Sequence, residues 1–317
     1  MPAPAQREPV IVVAGPTASG KTSLAIELAL RFDGEIVNAD SMQIYRGMDI
    51  GTAKPSSAER SSVPHHLLDI VAPDDPYHAS RFADDAAGAI AAIRGRGRIP
   101  FLVGGTGLYL RAALYGLSSG VGRNRAFREA LEAEHAAAAR GGDLERLHRR
   151  LAEVDGESAA RLHPNDRMRI IRALEIHAAT GRSATDVLRG AAPSARFEAL
   201  YLALDPGREE LPARIDRRCE AMITGGLLQE VRALRERGYG AELSSMRAIG
   251  YRHMQPVIDG RETLVNVLEA MKRDTRQFAR RQRTWLRGER GAVWVKPEDS
   301  GAIASHVATF LAARVAA

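Results

Sequence analysis

Gly15-Pro16-Thr17-Ala18-Ser19-Gly20-Lys21-Thr22 lies between an apolar run, Val10-Ile11-Val12-Val13-Ala14, and a helix-forming stretch, Ser23-Leu24-Ala25-Ile26-Glu27-Leu28-Ala29. This is a phosphate-binding loop in a strand-loop-helix setting. Glycine is needed at both ends because backbone N–H groups must turn inward and approach phosphate oxygens, while the helix starting near Lys21 offers its positive dipole end. Lys21 adds a full charge, and Thr22 supplies a hydroxyl for Mg²⁺. The loop does not say which phosphate it holds. A nucleotide triphosphate such as ATP is the common ligand, yet the same nest takes any diphosphate, so the reaction must be read from the rest of the chain.

The 317 residues are 45% hydrophobic and 26% charged, a globular composition long enough for one large domain or two unequal ones. The formal charge of +6 owes much to arginine gathered in the last third. That points to a polyanionic partner, with a solvated basic face as the alternative. A single cysteine, Cys219, excludes a disulfide framework and a cysteine metal cluster and suits a reducing, cytosolic setting. Met1 to Pro9 is short and proline-rich, with no apolar segment of signal length. No run of about eighteen apolar residues occurs, so a cytoplasmic protein without a membrane span is expected.

After the first helix, Gly34 acts as a stop signal, and Glu35-Ile36-Val37-Asn38-Ala39 reads as a second strand that ends at Asp40-Ser41-Met42-Gln43. Ligands of open α/β sheets sit at the carboxyl ends of strands, so Asp40 and the phosphate loop are expected to share a crevice. There Asp40 either binds Mg²⁺ through water or takes a proton from a substrate; the alternative is a cap on the following turn. Tyr45 to Pro55 is turn-rich and reads as a substrate-facing loop. His65 and His66, adjacent on an extended segment, point to opposite sides and cannot chelate together, which favours a structural role. Ser80 is the expected cap of a helix from Arg81 to about Arg94. Arg98 to Val103 then forms a strand running into Gly104-Gly105-Thr106-Gly107, with Thr106 as the polar handle of that turn. The repeated βα order argues for an α/β fold with a mostly parallel sheet and helices on both faces.

The character changes near Gly116-Leu117-Ser118-Ser119-Gly120. Helical patterns over Phe127 to Ala139, Leu144 to Val154 and Asp166 to Ala179 follow, broken at Gly141-Gly142, Gly156, Pro164 and Gly181. The expected plan is a core, first part, over residues 1–119, a helical insertion over 120–195, and the rest of the core over 196–317. Arg167, Arg169 and Arg172 follow a capping Asn165-Asp166 and run against the helix dipole, as if serving a partner; pairing with Asp166 or Glu175 is the alternative. Phe197 to Leu204 reads as a returning core strand closed by Asp205-Pro206-Gly207. On the next helix, from about Arg208 to Thr224, Arg214 and Arg218 share a face; they meet a phosphate in the crevice, or pair with Asp216, Glu220 or solvent.

Arg247-Ala248-Ile249-Gly250-Tyr251-Arg252 is a basic and aromatic turn that could take a phosphate and stack a base, or simply connect helices. Between Thr263 and Arg287 a long helix carries Lys272, Arg273, Arg276, Arg280, Arg281, Arg283 and Arg287 interleaved with Phe278 and Trp285, a density suited to nucleic acid. Its expected core stripe is Leu264, Val267, Leu268, Met271, Phe278 and Trp285. Val293-Trp294-Val295 reads as a last edge strand and Ile303 to Val315 as a closing helix.

Taken in order, Gly15 to Thr22, Asn38 to Tyr45, Gly51 to Pro55, Val103 to Tyr109, Arg169 to Glu175, Arg247 to Arg252 and Thr275 to Trp285 resemble the bacterial tRNA dimethylallyltransferases along nearly the whole chain. The resemblance implies a nucleotide-kinase-like parallel-sheet core with a helical insertion. It also implies transfer of a dimethylallyl group from dimethylallyl diphosphate to the exocyclic N6 of the adenosine just 3′ to the anticodon of tRNA, position 37, with release of diphosphate and no ATP consumed. Gly15, Pro16, Thr17, Ala18, Ser19, Gly20, Lys21 and Thr22 would hold the donor's diphosphate, with Mg²⁺ on Thr22. Asp40, Thr106 and Arg218 would be catalytic, Asp40 as the base and Arg218 as a cation against the leaving group. The implied tRNA contacts are Asp40, Ser41, Met42, Gln43, Thr106, Arg128, Met168, Arg169, Ile170, Ile171, Arg172, Arg247, Ala248, Ile249, Gly250, Tyr251 and Arg252. Arg280, Arg281, Gln282, Arg283, Thr284, Trp285, Leu286 and Arg287 complete them. A monomer is the expected form.

Overall fold

Val10 to Ala14 is apolar at every position, the pattern of a strand covered on both faces. In the computed structural model, which describes residues 7–117, 121–122, 124–190 and 194–315, it forms the inner strand β1 (Pro9–Ala14). Residues 1–6 of the proline-rich start and the Ser118-Ser119-Gly120 break lie outside the described residues. Strands β2 (Gly34–Asn38), β3 (His65–His66), β4 (Ile99–Gly104), β5 (Glu198–Leu204) and β6 (Val293–Val295) join β1 in a six-stranded sheet of order β3-β2-β4-β1-β5-β6. Every described pairing is parallel. The early strands build to one side of β1 and the late ones to the other, so the crevice opens at the carboxyl ends of β1 and β4. Register fixes this closely: Val13 lies beside Val103 and Ala14 beside Gly104, which brings the phosphate loop and the glycine turn together.

Alternation along β1 sends its side chains to opposite faces. Ile11 and Val13 pack with Leu24, Leu28, Phe101 and Ile303, under the helices Lys21–Arg31 and Ser300–Val315. Val10 and Val12 pack with Phe82, Ile90, Leu102 and Leu110, under the helices Ala79–Gly95 and Gly107–Tyr115. A third layer gathers the helices Glu210–Thr224, Leu227–Glu236, Tyr251–Ile258 and Leu264–Arg287 around Ile215, Val231, Met254 and Met271, together with Ile44 and Met48 from the loop after β2.

Two local expectations are corrected. The helix Ala79–Gly95 starts before Ser80, and its cap is His78, whose ring nitrogen accepts from Arg81 N at 3.3 Å. The buried stripe of Leu264–Arg287 is Val267, Met271, Thr275, Ala279, Gln282 and Leu286. Steps of three and four residues keep that stripe on one line, and Leu264 and Phe278 fall off it, both 37% exposed. His65 and His66 do lie extended, and His66 Nε2 meets Glu35 Oε2 at 2.6 Å.

The chain divides into two compact units, Met1–Gly116 with Ala195–Ala317, and Leu117–Ser194. The described elements of the second are helices: Arg125–Arg140, Arg146–Val154, Gly156–Arg161, Arg167–Thr180 and Ala184–Gly190, around Leu131, Leu151, Ile170 and Leu174. Asp166 caps Arg167–Thr180 through Arg169 N. In the first unit the chain leaves and returns at one place, where Arg196 N donates to Leu114 O at 2.7 Å.

Candidate active site

The phosphate loop follows β1 and ends in Gly20, which takes the left-handed φ of +89° and caps the helix Lys21–Arg31 without any side-chain hydrogen bond. First-turn N–H groups therefore lack a side-chain acceptor, and a helix start in that state favours an anion. Ala18 also adopts a positive φ, 62°, a conformation that a side chain bears only at a cost. Left-handed residues this close favour the backbone of an anion nest, while Ser19 N is given to Pro16 O at 3.2 Å.

A cavity of about 320 Å³ opens beside the loop, and its lining includes Lys21, Thr22, Asp40, Thr106, Arg218 and Arg281. Asp40 comes from the carboxyl end of β2, and its Oδ1 accepts from Met42 N at 2.9 Å, so the turn cap and the cleft carboxylate are the same group. Thr106 fastens this turn to the next: its Oγ1 accepts from Ser41 N at 3.0 Å and donates to Ser41 Oγ at 3.2 Å. Burial, and then the nearby Arg218, push the Lys21 ammonium down to about 8, with Asp40 opposing. Burial likewise draws the Arg218 guanidinium below its ordinary value against Asp40. Arg218 Nε is buried without a hydrogen-bond partner; such a donor is costly, and an anion in the cleft would satisfy it. Arg214, on the same helix face, pairs instead with Glu210 at 2.7 Å. Cys219, also in the lining, has its thiol pushed up by burial.

The Thr22 hydroxyl lies in the same lining as Lys21. Among the described residues no group of three or more His, Cys, Asp or Glu side chains could hold a metal ion. A divalent cation would therefore take Thr22 and the oxygens of a bound diphosphate, the sparse protein ligation that suits Mg²⁺.

The rim residues separate into outward and inward sets. Arg247, Arg252, Arg280, Arg281, Thr284 and Arg287 are exposed, and Ala248, Ile249 and Phe278 line the cleft. Ser41, Met42 and Gln43 line it too, although the Gln43 amide also donates to Thr52 O and Ala53 O. Tyr251 is wholly buried and gives its hydroxyl to Glu230 at 2.6 Å, so it cannot stack a base; Gly250 is buried beside it. Gln282 and Leu286 are buried, Arg283 is held by Asp205 at 2.6 Å, and the Trp285 indole sits against Gly107 where any Cβ would collide with it. Glu230 is a residue that sequence reasoning missed. Its carboxylate accepts from the backbone N–H of Asp49, Ile50 and Gly51, at 2.9, 2.7 and 3.1 Å, and so pins the loop that carries Thr52.

Within the second unit, Met168 and Arg169 are exposed, whereas Ile170 and Ile171 belong to the core. Glu175, nearly inaccessible, accepts two bonds from Arg128, at 2.9 and 2.8 Å, and one from Arg172. Burial pushes its carboxyl up, but the bonds from Arg128, Arg172 and Asn124 N overcome that and hold it at about 2. Arg167 pairs with Glu132 at 3.1 Å.

Comparison with known proteins gives a consistent picture. The family model described as IPP transferase matches residues 43–289, and one described as isopentenyl transferase matches residues 8–69. A tRNA dimethylallyltransferase of Anaeromyxobacter dehalogenans (strain 2CP-C) is 51% identical over 300 residues, 94% of this chain and 98% of its own. The tRNA dimethylallyltransferase 2 of Geotalea uraniireducens (strain Rf4) is 48% identical over 305 residues, 96% of this chain and 97% of its own. Among solved structures, the tRNA isopentenylpyrophosphate transferase of Bacillus halodurans is 37% identical with a TM-score of 0.70, covering 96% of each chain. A eukaryotic dimethylallyltransferase acting on tRNA is 31% identical with a TM-score of 0.76, covering 92% of this chain and 74% of that one.

Proposed function

The chain belongs to the IPP transferase family and is a prenyltransferase acting on tRNA, and we propose that its donor is dimethylallyl diphosphate, bound by its diphosphate in the Gly15–Thr22 loop. The acceptor is N6 of the adenosine at position 37, just 3′ to the anticodon. The observation that carries this reading is the meeting of two cations, Lys21 and Arg218, with one carboxylate, Asp40, in a single cleft beside the loop.

Breaking the allylic C–O bond puts charge on the departing diphosphate, and fixed donors that meet this charge commonly contribute about 3 kcal/mol each. Lys21, Arg218 and the loop N–H groups other than those of Thr17 and Ser19 supply them. Mg²⁺ bound at Thr22 would neutralise further charge on the same oxygens. The adenine amine is a weak nucleophile because its lone pair is delocalised into the purine. Asp40 accepts its proton as the N–C bond forms, and the Met42 N–H on Oδ1 orients the carboxylate for this. Thr106 holds the Asp40–Ser41 turn in place. The target base leaves its stack to enter the cleft, which costs least in a single-stranded loop. The exposed arginines of Leu264–Arg287 and of the 247–252 turn meet the RNA backbone.

Purified protein with Mg²⁺ and labelled dimethylallyl diphosphate is expected to label an anticodon stem-loop that carries the adenosine. No transfer would overturn the proposal. Transfer to free AMP in preference to the stem-loop would assign the cleft to a nucleotide acceptor.

A further inference from the structure

Gln282 lies on the buried stripe of Leu264–Arg287 and is only 8% exposed, although its helix neighbours Arg281 and Arg283 are charged. A buried amide destabilises a protein unless both of its ends are paired. Here both are. Oε1 accepts from Thr17 N at 2.8 Å, and Nε2 donates to Gly105 O at 2.9 Å. One side chain therefore spans the gap between the phosphate loop and the glycine turn after β4. Residue 105 is suited to glycine for this reason: a Cβ there would stand 2.4 Å from Gln282 Nε2 and 3.1 Å from Gly15 O.

We propose that Gln282 is a positioning residue for the donor rather than a contact to RNA. By taking the Thr17 N–H it withdraws that group from the phosphate nest, and by holding Gly105 O it sets the width of the cleft at the leaving group. Diphosphate oxygens then fall on the remaining N–H groups of the loop and on Lys21, in a geometry fixed before the substrate arrives. The inference rests on the reading that this loop holds the donor's diphosphate. It reassigns a position that the family resemblance counts among the tRNA contacts.

The test uses Gln282→Met, which keeps length and bulk but pairs with neither partner, and Gly105→Ala, which displaces the amide while leaving Gln282 in the sequence. In transfer assays both variants are expected to raise KM for dimethylallyl diphosphate by about tenfold or more, the size expected for two lost buried hydrogen bonds. Their dissociation constant for the anticodon stem-loop should stay within about twofold of the parent, since a twofold change is a fraction of one hydrogen bond. Calorimetry with inorganic diphosphate and Mg²⁺ should show the same loss without any RNA, so the inference stands or falls independently of the acceptor's identity. Gln282→Glu can still accept from Thr17 N but sets a carboxylate against Gly105 O and the diphosphate, and its loss should exceed that of Gln282→Met. Weakened stem-loop binding with unchanged donor KM and unchanged diphosphate affinity, in either Gln282→Met or Gly105→Ala, would overturn the proposal.

Discussion

Asp40 has one oxygen committed to the turn, through Met42 N, and stands with Lys21 and Arg218 in the lining of the cleft. Its removal should therefore act on the chemical step. Asp40→Ala is expected to lower kcat by about 10²–10⁴-fold, the usual worth of a positioned base, with the tRNA dissociation constant nearly intact; unchanged turnover would remove Asp40 from the base role. Lys21 makes a pH-dependent prediction. Its pKa is pushed down to about 8, by burial first and Arg218 second, so the ammonium is charged below that pH and neutral above it. Holding the charge in the cleft costs stability at low pH, and this cost is relieved as pH rises from about 8 toward the ordinary lysine value. The cation that meets the diphosphate is lost over the same window. In the free enzyme kcat/KM for the donor should accordingly fall as pH rises through about 8, and binding of inorganic diphosphate should take up a proton above it. A flat profile up to pH 10 would show that Lys21 keeps its charge.

The basic helix Leu264–Arg287 divides its arginines between two tasks. Arg281 is exposed in the cleft lining with Phe278, while Arg283 is drawn inward to Asp205. Arg281→Ala should weaken tRNA binding and flatten its salt dependence by about one unit of slope per lost phosphate contact. Arg283→Ala should leave the slope alone and lower thermal stability, by on the order of 1 kcal/mol for a lost charge-assisted bond. If the two variants behave alike, the division is wrong. Elements of this kind were legible in the chain wherever period and punctuation are local. β1, the phosphate loop, its helix and Asp40 at the end of β2 could be read from consecutive residues. What depended on distant partners could not. Glu230 acts on Asp49, Ile50 and Gly51 from far along the sequence, and no spacing announces it. Gln282 stood only among the tRNA contacts that the resemblance implies, and Phe278 in the expected core stripe, because the helix phase is set by what packs against it. The two-residue β3 is too short to carry a period at all.

At the scale of the molecule, the α/β unit holds every residue of the cleft, Thr17 through Gln282. Replacing residues 117–194 with a short Gly-Ser linker should thus leave a folded protein that binds inorganic diphosphate but no longer transfers to tRNA efficiently. Circular dichroism and calorimetry check the first half and the transfer assay the second; loss of diphosphate binding in a folded variant would refute it. The junction itself makes this feasible, since Leu114 and Arg196 are already joined by a backbone hydrogen bond. Because the two ends of the excursion are stapled together by the core, growth or shrinkage of the inserted segment is nearly invisible to the parallel sheet. For a flexible linker in its place, doubling the length would add only about 0.6 kcal/mol of closure cost. The α/β unit consequently tolerates, at little cost to itself, a change in the length of what is inserted at this doorway.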